Sequence, residues 1–141
     1  MAAAEVQDFL GRGEIMTVAS LGADGAIHLV PMWYALVDGS PVMWTNGRSQ
    51  KIVNLRRDPR VTALVETGQE YLDLAGVQLV GRAELIEGQE AVLEIGRLVA
   101  QRYSLPATEE ILQYQATKRV GVRILADRVV SWDHRKLLPP E

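Results

Sequence analysis

Residues Asn46 to Val61, NGRSQKIVNLRRDPRV, hold five of the fifteen Lys and Arg residues in the chain. Their spacing predicts a short helix. Ser49 is placed to cap its start, Ile52 and Leu55 fall on one side, and Pro59 stops it. Arg56 and Arg57 occupy the last turn, where the helix dipole favours cations. Arg48 and Lys51 crowd the first turn, where it disfavours them, and no carboxylate lies between Arg48 and Arg57. Two readings compete. In one, both cations point into water at a cost of about a few tenths of a kcal/mol each. In the other, Lys51, the Ser49 hydroxyl and the open N–H groups of the helix start converge on one phosphate. The residues alone leave both open.

A second constellation is VPMWY, Val30 to Tyr34. A proline inside an apolar strand donates no ladder hydrogen bond, so the position is expected at an edge or a bulge, where backbone can face a ligand. Trp33, Trp44 and Trp132 are three tryptophans in a chain with one phenylalanine. Each reads individually as core, yet flat π-faces near an anion site suit a ring-bearing cofactor with a phosphate tail.

Other chemistries drop out. With no cysteine there are no disulfides, thiolate metal sites or cysteine nucleophiles. His28 and His134 lie far apart without metal-site spacing, so no metal is expected and both are assigned to the surface. Ser20, Ser49 and Ser131 lack the GxSxG context of a nucleophile elbow. GRGE and GRAE match neither GxGxxG nor a Walker sequence. Asp58 interrupts the RRDPR run and the net charge is −3, so nucleic acid is not an expected partner. A phosphate-ready helix start with an aromatic surround and no side-chain catalytic apparatus points to chemistry that belongs to a bound cofactor.

The elements that must position these residues follow from periodicity. A chain of 141 residues, 48% hydrophobic and 23% charged, is expected to form one domain over 1–141. MAAAEVQDFL does not read as a signal peptide and no apolar run spans a bilayer, so a cytoplasmic protein without membrane contact is expected. Val6, Phe9 and Leu10 mark an opening helix. Strands are expected at Ile15–Leu21 and Ile27–Val37, joined by an Asp24-Gly25 hairpin, and at Val42–Thr45. After the basic helix come Arg60–Thr67 and two strands within Tyr71–Gly88, broken near Ala75-Gly76, with Gly81 at a bend. Ala91, Val92, Ile95, Leu98 and Val99 form one helical face, and Thr108 starts another helix running to about Thr117. Two paired strands close the chain. The predicted fold class is mainly β (α+β): a barrel of antiparallel strands with peripheral helices.

The segments IMTVASLGADGAIHLVPMWYALVDGSPVMWT, SQKIVNLRRDPRV, VQLVGRAEL and RVGVRILADRVVSWDHRK together resemble the pyridoxamine 5′-phosphate oxidase-like superfamily. More narrowly they are similar to its F420-dependent flavin/deazaflavin oxidoreductases of the B group. The resemblance covers nearly the whole chain in order. It implies a split β-barrel that forms a homodimer and binds its cofactor in a groove between subunits. Ser49 and Lys51, with Arg48 beside them, would hold the cofactor phosphate. Pro31, Met32 and Trp33 would border the deazaflavin ring, Thr45 and Asn46 would line the groove, and Trp132 would approach the cofactor from one subunit. The strand-two arginine of the FMN-binding oxidases has no counterpart in Leu29–Met32, and their C-terminal arginine–histidine segment is only loosely echoed by Asp133-His134-Arg135. The resemblance therefore implies coenzyme F420 in preference to FMN. It also implies hydride transfer from reduced deazaflavin to an unsaturated or quinone-like small organic substrate. An FMN oxidoreductase of the same fold and a non-catalytic flavin-binding dimer are the alternatives. No side chain is identified as the proton donor.

Overall fold

The structure is a computed structural model and describes residues 1–141. Helix α1 (Ala3–Arg12) turns Val6, Phe9 and Leu10 inward. Strands β1 (Met16–Leu21) and β2 (Ile27–Met32) form the expected hairpin. At its turn Gly25 has φ +83° and the Ala26 N–H donates to Asp24 Oδ1 at 3.0 Å. A second hairpin joins β3 (Ala35–Val37) to β4 (Ser40–Asn46) through Asp38 and Gly39, both left-handed at φ 50° and 78°, the pair of conformations a two-residue turn requires. Helix α2 (Gln50–Arg57), β5 (Arg60–Thr67) and a 3₁₀ turn at Tyr71–Asp73 come next. They are followed by β6 (Ala75–Ile86), α3 (Gln89–Arg102), α4 (Glu109–Ala116), β7 (Arg119–Asp133) and a last 3₁₀ turn at His134–Leu137. The expected hydroxyl cap of α4 is present: the Ile111 N–H donates to Thr108 Oγ1 at 3.2 Å.

All strands belong to one antiparallel sheet in the order β2-β1-β5-β6-β7-β4-β3. The two outermost strands are consecutive in sequence and joined only by Trp33 and Tyr34. The sheet therefore curls until its edges approach without a ladder between them, which makes the split β-barrel. Pro31 lies on edge strand β2, where its missing N–H breaks no interior ladder.

Three expected strand boundaries differ. Ile27–Val37 is not one strand, because the chain leaves the β1 ladder at Met32 and enters a different ladder at Ala35. Tyr71–Gly88 holds one strand rather than two, the interruption lying before Ala75 in the 3₁₀ turn. The C-terminal segment is likewise one 15-residue strand whose first part pairs with both β4 and β6. The bend expected at Gly81 appears as a bulge at Val80/Gly81 within the β6–β7 ladder.

The hydrophobic interior has two parts. The barrel core gathers Phe9, Leu10, Met16, Val18, Tyr34 and Met43, and α2 adds Ile52 and Leu55 to it. The second part lies between β4 and the α3–α4 pair, where Val42 and Trp44 meet Val92, Ile95, Val99 and Leu112. Strand β4 is thus buried on both faces.

Gly81 is required by its neighbours. A Cβ there would lie 2.0 Å from the Leu125 carbonyl oxygen, a backbone atom that cannot swing aside. Gly81→Ala is expected to destabilise the protein by about 1–3 kcal/mol, as overpacking does. Gly11→Ala, where a Cβ meets nothing within 4 Å, should be neutral or stabilising by up to about 1 kcal/mol. Urea unfolding of both variants checks this, and an unchanged midpoint for Gly81→Ala would show that the bulge is not as tight as drawn.

Candidate functional site

Helix α2 begins with a turn that Asn46 organises. Its side-chain oxygen accepts the Arg48 N–H at 2.9 Å and its carbonyl accepts the Ser49 N–H at 3.0 Å. Ser49 occupies the capping position with extended backbone, φ −64° and ψ 154°, but its hydroxyl makes no capping bond, contrary to expectation. Instead Ser49 Oγ is buried without any partner. The N–H groups of Gln50 and Lys51 likewise reach no protein acceptor. Arg48 precedes the helix and is exposed. Lys51 is the second helical residue and is only 9% exposed. Its ammonium donates to Thr45 Oγ1 at 3.0 Å and meets no carboxylate, and burial lowers its pKa from 10.5. Fully buried Asn54 ties the helix to β1: it accepts from Gln50 at 2.8 Å and donates to Ser20 Oγ at 3.1 Å.

On the α3–α4 side of β4 lies a groove of about 660 Å³. Pro31, Met32 and Trp33 form one wall. Gly96, Val99 and Ala100 of α3, with the Leu105–Ala107 connection, form the other, and Trp44 lies between them. The Trp44 ring can lie against α3 because residue 96 is glycine; a Cβ there would stand 2.5 Å from the indole. The Arg119 guanidinium covers Trp44 at 4.4 Å from a ring centroid. Trp33, 43% exposed, stacks on Tyr103 at 4.3 Å and 7°. Tyr103 is fixed in turn, donating its hydroxyl to the Glu14 carbonyl at 2.6 Å and accepting the Tyr34 N–H at 3.2 Å. Trp44, Gln115 and Arg119 also border an adjoining cavity with Thr45, Asn46, Tyr114 and Lys118. Asn46, Lys118 and Arg119 carry the path on to Gly47 and Arg48. A ligand with a flat body and an anionic tail would fit such a path.

The structure therefore brings Pro31, Met32 and Trp33 together on the groove, sets Thr45, Asn46 and Arg48 along its extension, and places Ser49 and Lys51 at the helix start behind Thr45. Trp132 stands apart. It is half-buried at the far end of β7 from Arg119, with its indole filling the space above Gly76, where a Cβ would come within 2.3 Å of the ring. Trp44, Gln115, Lys118 and Arg119 were not singled out as site residues. A signal existed for the last two: no carboxylate occurs between Glu110 and Asp127, the same feature that marks Arg48 to Arg57. The histidines are half-buried rather than fully exposed; His28 Nδ1 is buried without a partner and His134 Nδ1 lies 2.7 Å from the Tyr71 carbonyl. No cluster of three metal-ligating side chains exists, and no helix is long and apolar enough to cross a membrane.

Charge is distributed unevenly. Some arginines find acids: Arg56 pairs with Glu87, Arg60 with Asp58, and Arg97 with both Glu94 and Glu109. Arg48, Lys51, Lys118 and Arg119 form no ion pair, and neither do Arg57, Arg102, Arg123 and Arg128. Lys118 instead donates to the Tyr114 hydroxyl at 2.8 Å, which lowers the phenol pKa.

Comparison with known proteins bears on the fold and the family. A conserved hypothetical protein of Mycobacterium tuberculosis is 48% identical, superposes with a TM-score of 0.91, and the match covers 100% of this chain and 91% of that one. An F420 reductase superposes at 0.73 with 18% identity, over 88% of this chain and 94% of its own. An FAD-binding protein of Mesorhizobium loti does so at 0.71 with 22% identity, over 93% and 94%. At such identities the last two show the shared fold alone. No curated protein matches the chain in sequence. The family profile described as pyridoxamine 5′-phosphate oxidase matches residues 2–135, and with nearly the whole chain matched, the protein belongs to that family.

Proposed function

We propose that the protein is an oxidoreductase that holds deazaflavin coenzyme F420 by its phosphate at the start of α2 and reduces an unsaturated or quinone-like small molecule in the adjoining groove. The observation that carries this reading is the buried, unpartnered Ser49 hydroxyl two residues before a buried ammonium whose one acceptor is the neutral Thr45 hydroxyl. A buried hydroxyl without a partner costs about 1–3 kcal/mol, and Lys51 has one neutral acceptor where a cation favours several. A phosphate accepts from Ser49 Oγ, Lys51 Nζ and the open Gln50 and Lys51 amides, so the residues fit the group. Arg48 adds charge at the rim. Reduced deazaflavin, when bound, supplies the hydride.

The chain's own residues do the remaining work. Pro31, Met32 and Trp33, with Thr45 and Asn46, would border the ring, Trp33 being held in plane by Tyr103. Trp44 and the α3–α4 connection would exclude water from the reacting face. The lack of an arginine in Leu29–Met32 supports F420 over FMN.

The same reading makes the protein a homodimer. Ile27 and Leu29 stand 70% and 63% exposed on edge strand β2, an apolar face that a second copy would cover. Trp132, remote from its own groove, would then serve the partner's.

Fluorescence titration with F420 and with FMN tests the assignment. Saturable micromolar binding of F420, tighter than that of FMN, is expected. Tighter FMN binding would transfer the assignment to an FMN enzyme, and binding without oxidation of reduced F420 by any enone or quinone would leave a cofactor carrier. Lys51→Ala should weaken binding by about 1.5–3 kcal/mol, the scale of a charge-assisted hydrogen bond; unchanged affinity would remove the phosphate from this position.

Lys51 should also cost stability when no cofactor is bound. Burial disfavours its charged form, so the penalty is complete below its depressed folded pKa and vanishes above 10.5, where the unfolded chain is neutral too. Lys51→Met is expected to stabilise the cofactor-free protein at neutral pH by about 1 kcal/mol or more. Its advantage should shrink as the pH approaches 10.5. Urea unfolding across that range decides, and a less stable variant at neutral pH would mean the ammonium is better solvated than its burial implies.

Leu29→Glu should convert a dimer to monomers in light scattering and weaken cofactor binding. A parent protein that is monomeric at all concentrations would exclude the shared site.

A further inference from the structure

We infer that Arg119 and Gln115 form an anion subsite inside the groove, separate from the phosphate grip, and that the substrate is a flat conjugated molecule bearing a carboxylate. This rests on the groove being the substrate seat. Its walls are otherwise apolar, with Arg119 the one charged and Gln115 the one amide side chain lining it. Neither side chain hydrogen-bonds to the protein, although both are half-buried. The guanidinium has five N–H donors and no protein acceptor for any of them. Its face is taken up by Trp44, which leaves the donor edge for the groove. Two parallel N–H groups on that edge match the two oxygens of a carboxylate, a pairing a lysine cannot reproduce. Gln115, in the last turn of α4, lies four residues before Arg119 at the start of β7 and borders the same two cavities. Its amide N–H would donate to the same anion.

The position differs from that of the cofactor phosphate. Lys51 reaches β4 through Thr45, whereas Arg119 reaches it through Trp44. Adjacent residues on a strand project to opposite faces, so Lys51 and Arg119 contact side chains on opposite faces of β4. Burial also holds the Arg119 guanidinium below its usual range, as expected for a cation withdrawn from water without an acid to compensate it. Flat apolar walls between Trp33 and Trp44 favour a conjugated ring system for the body of the ligand.

The test is calorimetric titration of the full-length protein with naphthoic acid and with its amide, a matched flat pair differing in charge. The parent should prefer the acid by about tenfold or more, the scale of a charge-assisted bidentate contact. Arg119→Gln should abolish that preference and weaken FMN or F420 binding far less than Lys51→Ala does. Lys51→Ala should do the reverse. Arg119→Lys, which keeps charge but loses the fork, should lose most of the preference; it carries the test if Arg119→Gln fails to fold. Equal binding of acid and amide by the parent overturns the proposal, as does an acid preference that survives in both Arg119 variants. Loss of cofactor binding in Arg119→Gln to the extent seen in Lys51→Ala also overturns it, because Arg119 would then belong to the phosphate grip. An acid preference that depends on Arg119 in a protein binding no flavin would sustain the subsite and remove the cofactor reading alone.

Discussion

Strand β4 is buried on both faces, and the site depends on that constraint. Met43 faces the barrel core, while Val42 and Trp44 face the layer of α3 and α4. A strand sealed on one side only would leave Trp44 in water and give the groove no floor. The second layer docks closely because two glycines remove obstacles: Gly96 leaves room for the Trp44 ring, and Gly121, opposite Trp44 across the ladder, leaves room for Ile95. Glycine within a helix costs up to about 1 kcal/mol relative to alanine, a cost accepted here for the approach of an aromatic ring. Helix α2, seated against the barrel end by Ile52 and Leu55, then fixes Lys51 under Thr45.

The energetics at this strand run against stability. Surface ion pairs such as Arg97 with Glu94 and Glu109 are worth little because water screens them. Unpaired charge under cover is costly, and the fold carries it at Lys51 and Arg119. The Thr45 hydroxyl and the Trp44 ring soften the cost; a cation–π contact contributes roughly 0.5–2 kcal/mol. Neither neutralises charge. A glutamate facing either residue, or methionine in its place, would have been the more stable solution. Local breaches of otherwise consistent rules concentrate where a ligand completes the structure.

Much of this was legible in one dimension. The hairpin announced by Asp24-Gly25 forms as read, because φ > 0 is needed there and Gly25 supplies it. The missing carboxylates around Arg48 and Lys51 flagged the helix start, but the capping hydrogen bond expected of Ser49 does not form, since Asn46 closes the turn and leaves the hydroxyl idle. Small and polar residues in β6 and β7 suggested breaks that the ladder overrides: pairing along the full length of two long strands outweighs local turn preference. Arg119 carried the same charge signature as Lys51, yet its meaning arises only when β7 is laid beside β4 and brings it over Trp44, a residue far away in sequence. Trp132 shows the opposite limit, since the resemblance gives it a cofactor role while in this chain its indole lies over Gly76, away from the groove.

The two cations are chemically distinct in a way that suits their surroundings. A lysine ammonium is a compact charge on a flexible stem, able to stand beneath a hydroxyl and to reach a tetrahedral anion from any direction. Burial lowers the pKa of that ammonium, whereas a phosphate within a few ångströms would raise it. Cover and such a ligand would therefore oppose each other at Lys51. An arginine cannot respond in this way, because its guanidinium remains charged throughout the physiological range even when burial weakens it. What it offers is a flat face for Trp44 and a rigid edge of fixed geometry. A site that gripped a phosphate at one end and oriented a second ligand at the other would thus gain from having lysine at 51 and arginine at 119, since an ammonium at 119 would lack the flat face that the guanidinium lays on Trp44.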